Sequence, residues 1–198
     1  MIFIFDLGNV VVKIDQQKII DYWKTVIGDS ACDAVNGFEV DEEYEKYEKG
    51  QIDSVEYWKH FCKVCNCKLG FDDFNYGWCA LYGGYMPGIL ETINALSEKN
   101  RVIALTNTNN LHVNVWVRLY PEICDIFDKV YLSSEIGFRK PEKGCFEYVL
   151  KMENGSPDEV IFFDDNLENV SGAESLGIRG VHVQNDDTVR KYLSGKWI

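Results

Sequence analysis

No stretch of this sequence stays apolar for long. Each hydrophobic run breaks within about five to seven residues, well short of the roughly 18 that cross a bilayer, so no membrane span is expected. The N-terminal run from Met1 ends at Asp6 and lacks both a basic flank and a small-residue cleavage site, which excludes a signal peptide. Positive charge is also scarce. Against 32 Asp and Glu stand 20 Lys and Arg, a net charge of −12. That balance opposes nonspecific binding to nucleic acid or an anionic membrane, and an anionic ligand needs local help from a metal or fixed lysines. There is no internal repeat and no low-complexity segment. The cysteines, 7 in all, are an odd number, and Cys79, Cys124 and Cys145 sit in ordinary helical or loop sequence. They read as reduced thiols, which places the chain in the cytoplasm.

What is present describes a soluble globular chain, with 46% hydrophobic and 26% charged residues over a length of 198. That length suffices for one substantial core and a smaller insert. The stretch IFIFDLGNVVV anchors the reading. Its first residues form a uniform apolar run, as in a strand buried on both faces of a parallel sheet, and the run stops at a carboxylate, Asp6. Similar runs follow: RVIALTNTNN ends in Thr106 and Asn107, KVYLSS in Ser133 and Ser134, and EVIFFDD in Asp164 and Asp165, with a fifth strand from Gly180 to Val183. Helical segments alternate with them. This is the pattern of a doubly wound, Rossmann-like α/β core, and it brings the strand ends to one edge, where such sheets bind ligands.

Between Gln16 and Tyr85 the pattern changes to aromatic and apolar residues at helical spacing, with no strand-like run. The expected organisation is therefore a core of residues 1–15 and 86–198 with a small all-helical cap, residues 16–85, inserted after the first strand. Asp53 or Ser54 caps one of its helices, and Gly83 and Gly84 form a flexible return to a helix opened by Pro87. The run DEEYEKYEK reads as a solvated helix face carrying Glu42–Lys46 and Glu45–Lys49 pairs. Trp58, Tyr44, Tyr47, Trp78 and Tyr82 either line a lid or fill the cap's own interior. His60, Cys62, Cys65 and Cys67 contain a CxxC pair at zinc spacing, but ligands so close together at a helix end are hard to aim at one tetrahedral ion.

Collected at the sheet edge are Asp6, Thr106, Asn107, Asp164 and Asp165, with Lys140 on the loop GFRKPE. Three converging carboxylates repel one another and demand a cation, and an all-oxygen set suits Mg2+. Asp6 and Asp165 should then lie about 4 to 5 Å apart. A lysine and a threonine hydroxyl opposite the metal would grip phosphate oxygens and balance their charge in the transition state, leaving Asp6 as the attacking group.

These motifs together resemble the haloacid dehalogenase-like (HAD) superfamily of hydrolases. FDLGNV is similar to its first motif with the aspartyl nucleophile Asp6, LTNT to the second with Thr106, RKP to the third with Lys140, and FFDDN to the fourth with Asp164 and Asp165. The likeness implies that Asp165 binds Mg2+ directly, that Asp164 supports it through water, and that the Gly8 carbonyl is a further ligand. It also implies a cap acting as a lid. DLGNV, LTNTN, FFDDN and the phrase with Leu111, His112 and Trp116 before YPEI resemble most closely the small bacterial phosphatases of the α-D-glucose-1-phosphate phosphatase type. The implied partner is a small phosphorylated metabolite, hydrolysed through an aspartyl phosphate, with Thr106, Asn107, Lys140 and His112 as the groups binding it.

The sequence departs from that family at one position. HAD phosphatases carry a second Asp two residues after the nucleophile as general acid and base, and here the position is Gly8. A group worth roughly 10² to 10⁴ in rate is missing from its usual place. A sugar 1-phosphate, with a less basic leaving oxygen, suffers less from the loss, and Asp15, His112 or a cap residue are the possible substitutes. A metal-independent haloacid dehalogenase also uses an Asp nucleophile without the second Asp, but it does not resemble FFDDN with paired acids. A non-catalytic phosphate-ligand binding protein is the third reading. His182, inside the fifth strand, reads as core.

Overall fold

The computed structural model describes residues 1–31 and 38–198. Its strands are β1 (Ile2–Phe5), β2 (Val12–Ile14), β3 (Tyr82–Tyr85), β4 (Arg101–Thr106), β5 (Lys129–Leu132), β6 (Val160–Asp164) and β7 (Arg179–His182). Five of them form a parallel sheet in the order β5-β4-β1-β6-β7. The central strands read as unbroken apolar runs because helices cover both faces. Side chains alternate across the sheet, so Phe3, Phe5 and Phe163 pack into one buried cluster while Ile4, Ile103 and Phe162 pack into another. On the first face lie α5 (Ile89–Ser97), α6 (Asn110–Leu119), α7 (Glu122–Ile126) and α11 (Thr188–Leu193), contributing Ile93, Trp116, Ile123 and Leu193. On the second lie α9 (Lys143–Glu153) and α10 (Leu167–Glu174), contributing Phe146 and Ala173. Each fully buried phenylalanine stabilises this sandwich by about 2 kcal/mol relative to exposure.

The chain runs outward from β1 through β4 to β5, then returns past β1 to β6 and β7. The reversal puts the carboxyl ends of β4, β1 and β6 side by side, the place where open α/β sheets hold their ligands. Register fixes the heights: Phe5 pairs with Ala104 and with Phe163, so Asp6 emerges level with the ends of both neighbours. The Asp6 amide completes the ladder by donating to the Phe163 carbonyl at 2.9 Å.

Four helices are described between β2 and β3: α1 (Gln17–Ile27), α2 (Glu42–Glu48), α3 (Ser54–Val64) and α4 (Phe71–Trp78). They bury a cluster of their own, including Ile19, Trp23, Tyr57, Phe61, Phe74 and Trp78. The α1 and α4 backbones approach so closely that a Cβ on Gly77 would stand 2.0 Å from the Trp23 indole nitrogen, which itself donates to the Asp73 carbonyl at 3.0 Å. Asp53 caps α3 with a full capping box, its carboxylate taking the Val55 and Glu56 amides while Glu56 returns to the Asp53 amide.

Several boundaries differ from the sequence expectation. The return from the helices is not a flexible glycine stretch: Tyr82–Tyr85 is a strand, paired antiparallel with Val12–Ile14 through Val12 with Tyr85 and Ile14 with Tyr82. The pair is too short for its alternation to register, and its two halves lie far apart in sequence. Gly84 takes a φ of 99° there, and its amide is held by the Tyr120 hydroxyl at 3.0 Å. The following helix starts at Ile89 rather than Pro87, because Gly88 at φ 69° is left-handed. Ser133 and Ser134 open the short helix α8 (Ser133–Ile136) instead of ending β5. The acidic run in α2 is only partly solvated. Its Glu42–Lys46 and Glu45–Lys49 pairs are present at 2.9 and 3.9 Å, but Tyr47 and Glu48 are buried.

Candidate active site

The end of β1 delivers Asp6, the end of β6 delivers Asp164 and, one residue on, Asp165. Each offers one oxygen, and these oxygens lie within 4.8 Å of one another, the spacing at which carboxylates share an ion. Among the described residues no other group of three His, Cys, Asp or Glu side chains comes together in this way. His60 instead pairs with Asp41, and Cys62 points its thiol at the Leu69 carbonyl. Lys140 is 1% exposed, and its Nζ donates to Asp6 Oδ1 and to Asp164 Oδ2, both at 2.7 Å. Burial alone acts against its charge, yet Asp164 and Asp6 outweigh that and hold the ammonium protonated, above its ordinary pKa. For Asp6 the balance is the reverse. Burial raises its pKa, Lys140 opposes the rise, and Asp164 and Asp165 add to it. An additional cation among the three oxygens would relieve that repulsion, so the donor set fits a hard divalent ion.

Amide side chains hold this charged floor in place. The Asn107 side chain bridges the Lys140 backbone, accepting from its amide at 2.8 Å and donating to its carbonyl at 2.8 Å. Its polar atoms therefore fix the loop that carries the lysine. Asn169 Nδ2 reaches both Asp164 oxygens at 3.1 Å, and Asp164 Oδ1 also takes the Asn166 amide at 2.8 Å. Asn9, left-handed at φ 51°, donates to Asp165 Oδ2 at 3.0 Å and accepts the Ile14 amide. His182 is half-buried rather than core, with its Nε2 on the Asp165 carbonyl at 2.9 Å. Asn9, Asn169 and this role of His182 carry no sequence signal of their own, being ordinary polar residues in a turn, a helix and a strand end. Thr106 is 6% exposed at the end of β4, and Ser133 pins the next turn through the Thr108 amide and carbonyl.

Above the floor opens a cavity of about 380 Å³ that Asp6, Gly8, Thr106, Asn107 and Lys140 share with the helical layer. Its upper wall is aromatic: Trp23, Phe38, Tyr44, Phe61, Trp78 and Tyr82. Of the aromatics singled out in the sequence, Tyr44, Trp78 and Tyr82 line it. Tyr47 stacks on Tyr57 and Trp58 bonds the Leu69 carbonyl, both within the helical layer. Trp23, Phe38 and Phe61 were not foreseen, since nothing in their spacing distinguishes them from core residues.

The candidate proton donors stand as follows. Asp15 is exposed and accepts the Gln17 amide. His112 lines the cavity, but Nε2 is occupied by the Trp78 carbonyl at 3.0 Å and Nδ1 by the Asn109 amide at 3.2 Å, while the ring stacks on Trp78. Burial lowers its pKa to about 4, so the imidazole is neutral. Glu48 also faces the cavity, its carboxylate held by Arg139 Nε at 2.8 Å and the Tyr44 hydroxyl at 2.9 Å. Burial raises the Glu48 pKa and Arg139 opposes the rise. Through Arg139 with Glu45 and Glu48, and Lys49 with Glu142, α2 is fastened to the loop that carries Lys140.

A parallel sheet with three carboxylates and a buried lysine at its edge defines a class, and the comparison with known proteins agrees. The chain belongs to the haloacid dehalogenase-like hydrolase family, whose model matches residues 1–177. It is 25% identical to the D-ribitol-5-phosphate phosphatase of Bacteroides thetaiotaomicron, over 96% of this chain and 95% of that one. A shorter match, 44% identical over 59 residues and covering 30% of each chain, is to a sesquiterpene phosphatase of Aspergillus oryzae. Among solved structures, a HAD family enzyme of Bacteroides thetaiotaomicron in complex with magnesium and inorganic phosphate superposes with a TM-score of 0.80 at 26% identity, covering 93% of this chain and 94% of that chain.

Proposed function

We propose that the protein is a Mg2+-dependent phosphatase that hydrolyses a small phosphate monoester through an aspartyl phosphate on Asp6. The observation that carries the reading is the convergence of Asp6, Asp164 and Asp165 within 4.8 Å, beside a buried Lys140. Asp165, Asp6 and the Gly8 carbonyl would hold the ion directly and Asp164 would support it. When bound, Mg2+ supplies charge neutralisation for the phosphoryl oxygens. An Asp6 oxygen attacks phosphorus, the bond from phosphorus to the ester oxygen breaks, and its electron pair leaves with that oxygen. Water then cleaves the aspartyl phosphate, so one difficult displacement becomes two easier ones. Lys140 balances the negative charge of the transferring group, and Thr106 offers its hydroxyl to a phosphate oxygen. Residues 1–15 and 86–198 are the catalytic core in this reading, and residues 16–85 are a cap that covers the site.

The metal-independent dehalogenase and the binding-protein readings fit less well, because neither uses paired acids beside the nucleophile together with a buried lysine. The relatives act on a sugar alcohol phosphate in one case and on a sesquiterpene in another, so the ester is not set by kinship. The motif likeness favours a sugar phosphate such as glucose 1-phosphate, and the cavity wall favours a different alcohol. The phosphatase reading is tested by phosphate release with and without a chelator, with Asp6→Asn as control. Release from at least one monoester, abolished by both, is the expected result. Activity on 2-haloacids that survives chelation overturns it.

A further inference from the structure

Resting on the phosphatase reading, the geometry points to a particular class of ester: a phosphate monoester of a phenol, sparing in hydroxyls. Four observations lead there. The first is the wall. At about 380 Å³ the cavity lies in the range of small-molecule sites, and above the charged floor it is built mainly from rings and aliphatic side chains, among them Ile14, Ile19, Leu81 and Ile123. Rings packed edge-on and face-on suit an aromatic guest better than a polyol.

The second observation is that several polar groups in that wall are already engaged. Tyr44 gives its proton to Glu48, Glu48 holds Arg139, and both nitrogens of His112 are taken. A sugar or sugar alcohol would bring several hydroxyls into this space. Each one buried without a partner weakens binding by about ten- to a hundredfold.

The third is a pair of donors with nothing to bond. Trp78 and Trp116 both line the cavity and are 6% and 5% exposed. The indole Nε1 of each is buried without a hydrogen-bond partner among the described residues. Neither nitrogen is open to the space of the cavity, so these donors leave the wall dry and offer nothing to a hydroxyl.

The fourth is the missing acid. Gly8 offers no carboxyl, Asp15 is turned to solvent, and His112 has both nitrogens hydrogen-bonded in a buried place that keeps it neutral. Glu48, the other acid of the lining, is paired with Arg139. An ordinary alkoxide needs a proton as the ester bond breaks. A phenolate, whose conjugate acid has a pKa of about 10, departs with the electron pair and collects its proton afterwards from water. The ring and the leaving group are thus two demands that one class of alcohol satisfies.

Phosphate release in the presence of Mg2+ from phenyl phosphate, benzyl phosphate, ribitol 5-phosphate and glucose 1-phosphate separates these demands. Benzyl phosphate and ribitol 5-phosphate both expel a primary alkoxide, so their comparison isolates the ring. The KM for benzyl phosphate is expected to be lower by about tenfold or more. Phenyl and benzyl phosphate share the ring and differ in the leaving oxygen, and phenyl phosphate is expected to lead in kcat by about 10². Phe38→Ser, at a half-buried position of the wall, should raise KM for both ring-bearing esters about fivefold and leave that for ribitol 5-phosphate unchanged or lower. A KM for ribitol 5-phosphate at or below that for benzyl phosphate overturns the inference, as does equal kcat for phenyl and benzyl phosphate, and either leaves the phosphatase reading standing. No release from any of the four brings down the phosphatase reading itself.

Discussion

The floor and the wall of one cavity are built on opposite rules. At the floor every charged side chain is tied to at least one neighbour: Lys140 bridges Asp6 and Asp164, Asn169 grips Asp164, Asn9 holds Asp165, and Asn107 grips the lysine's backbone. In the wall, rings meet rings and two indole donors have no partner among the described residues. A constellation so fully bonded is preorganised for one reaction, since its groups need no reorganisation as charge develops. A wall of rings is selective by shape and by what it refuses to solvate, and it says nothing about the reaction. The difference separates the two questions of function. On the proposed reading, chemistry is written at the strand ends, and choice of ester in the helices above them.

The sharpest way to break this division is at the floor. Lys140→Met removes the buried cation that faces Asp6 and Asp164 and should lower kcat/KM by about 10³ for every ester alike. Measured across an aryl and a polyol series, a loss confined to one series would mean that the lysine serves selectivity. Next in size is the seam between the two regions. Arg139→Ala leaves Glu48, 5% exposed, without its cation and should cost about 3 kcal/mol of stability, read by urea unfolding. Arg139→Ala with Glu48→Gln should recover most of it. A variant as stable as the wild type would show that α2 is not fastened by this pair.

Gly8→Asp sharpens the comparison from the other side by giving the floor the acid it lacks. The position can accept a side chain: φ at Gly8 is not positive, and a Cβ would meet Ile14 Cγ1 at 3.3 Å and Asp6 Oδ2 at 3.7 Å. Turnover of benzyl phosphate should rise by about 10-fold or more, with little change for phenyl phosphate, whose leaving group needs no help. An equal gain for both would mean that the new carboxylate acts on the water step alone. The last test is at His112. An ordinary histidine titrates near 6.5 and this one near 4, so between those values the unfolded chain takes up a proton that the folded chain refuses. Stability is therefore full above about pH 6.5 and declines as pH falls toward 4. His112→Gln should remove that share of the slope. Glu48, with its raised pKa, contributes in the opposite sense, and it is unchanged in the variant. Parallel unfolding curves at pH 7 and 4.5 make the comparison.

The same division explains what was legible in the sequence. The strands and their terminal acids could be read because an apolar run that ends abruptly in Asp or Thr is a local signal, and β1, β4 and β6 each carry one. The lysine was legible from its motif. The wall was not, because Trp23 and Phe61 repeat at helical spacing like any core residue, and only the packing of four helices shows which rings face the cavity. Glu48 sat unseen inside an acidic run that looked solvated. Its partner Arg139 lies 91 positions further on, and no local pattern announces a pairing at that distance. The β2–β3 pair was missed for the same reason, since strand pairing stands or falls on a partner that a short window does not contain.

That pair has a further consequence. The helical layer leaves the β2–β3 ladder at Ile14 and comes back to it at Tyr82, which are antiparallel neighbours. Seen from the sheet, everything between them is a loop whose two ends are already joined. Closing such a loop depends only weakly on its length, at about 0.6 kcal/mol for each doubling. The sheet and its charged edge can therefore fold in the same way under helices of other sizes and other linings. Exchange of the segment between those two residues is a route by which one hydrolytic centre acquires a new alcohol without rebuilding the chemistry beneath it.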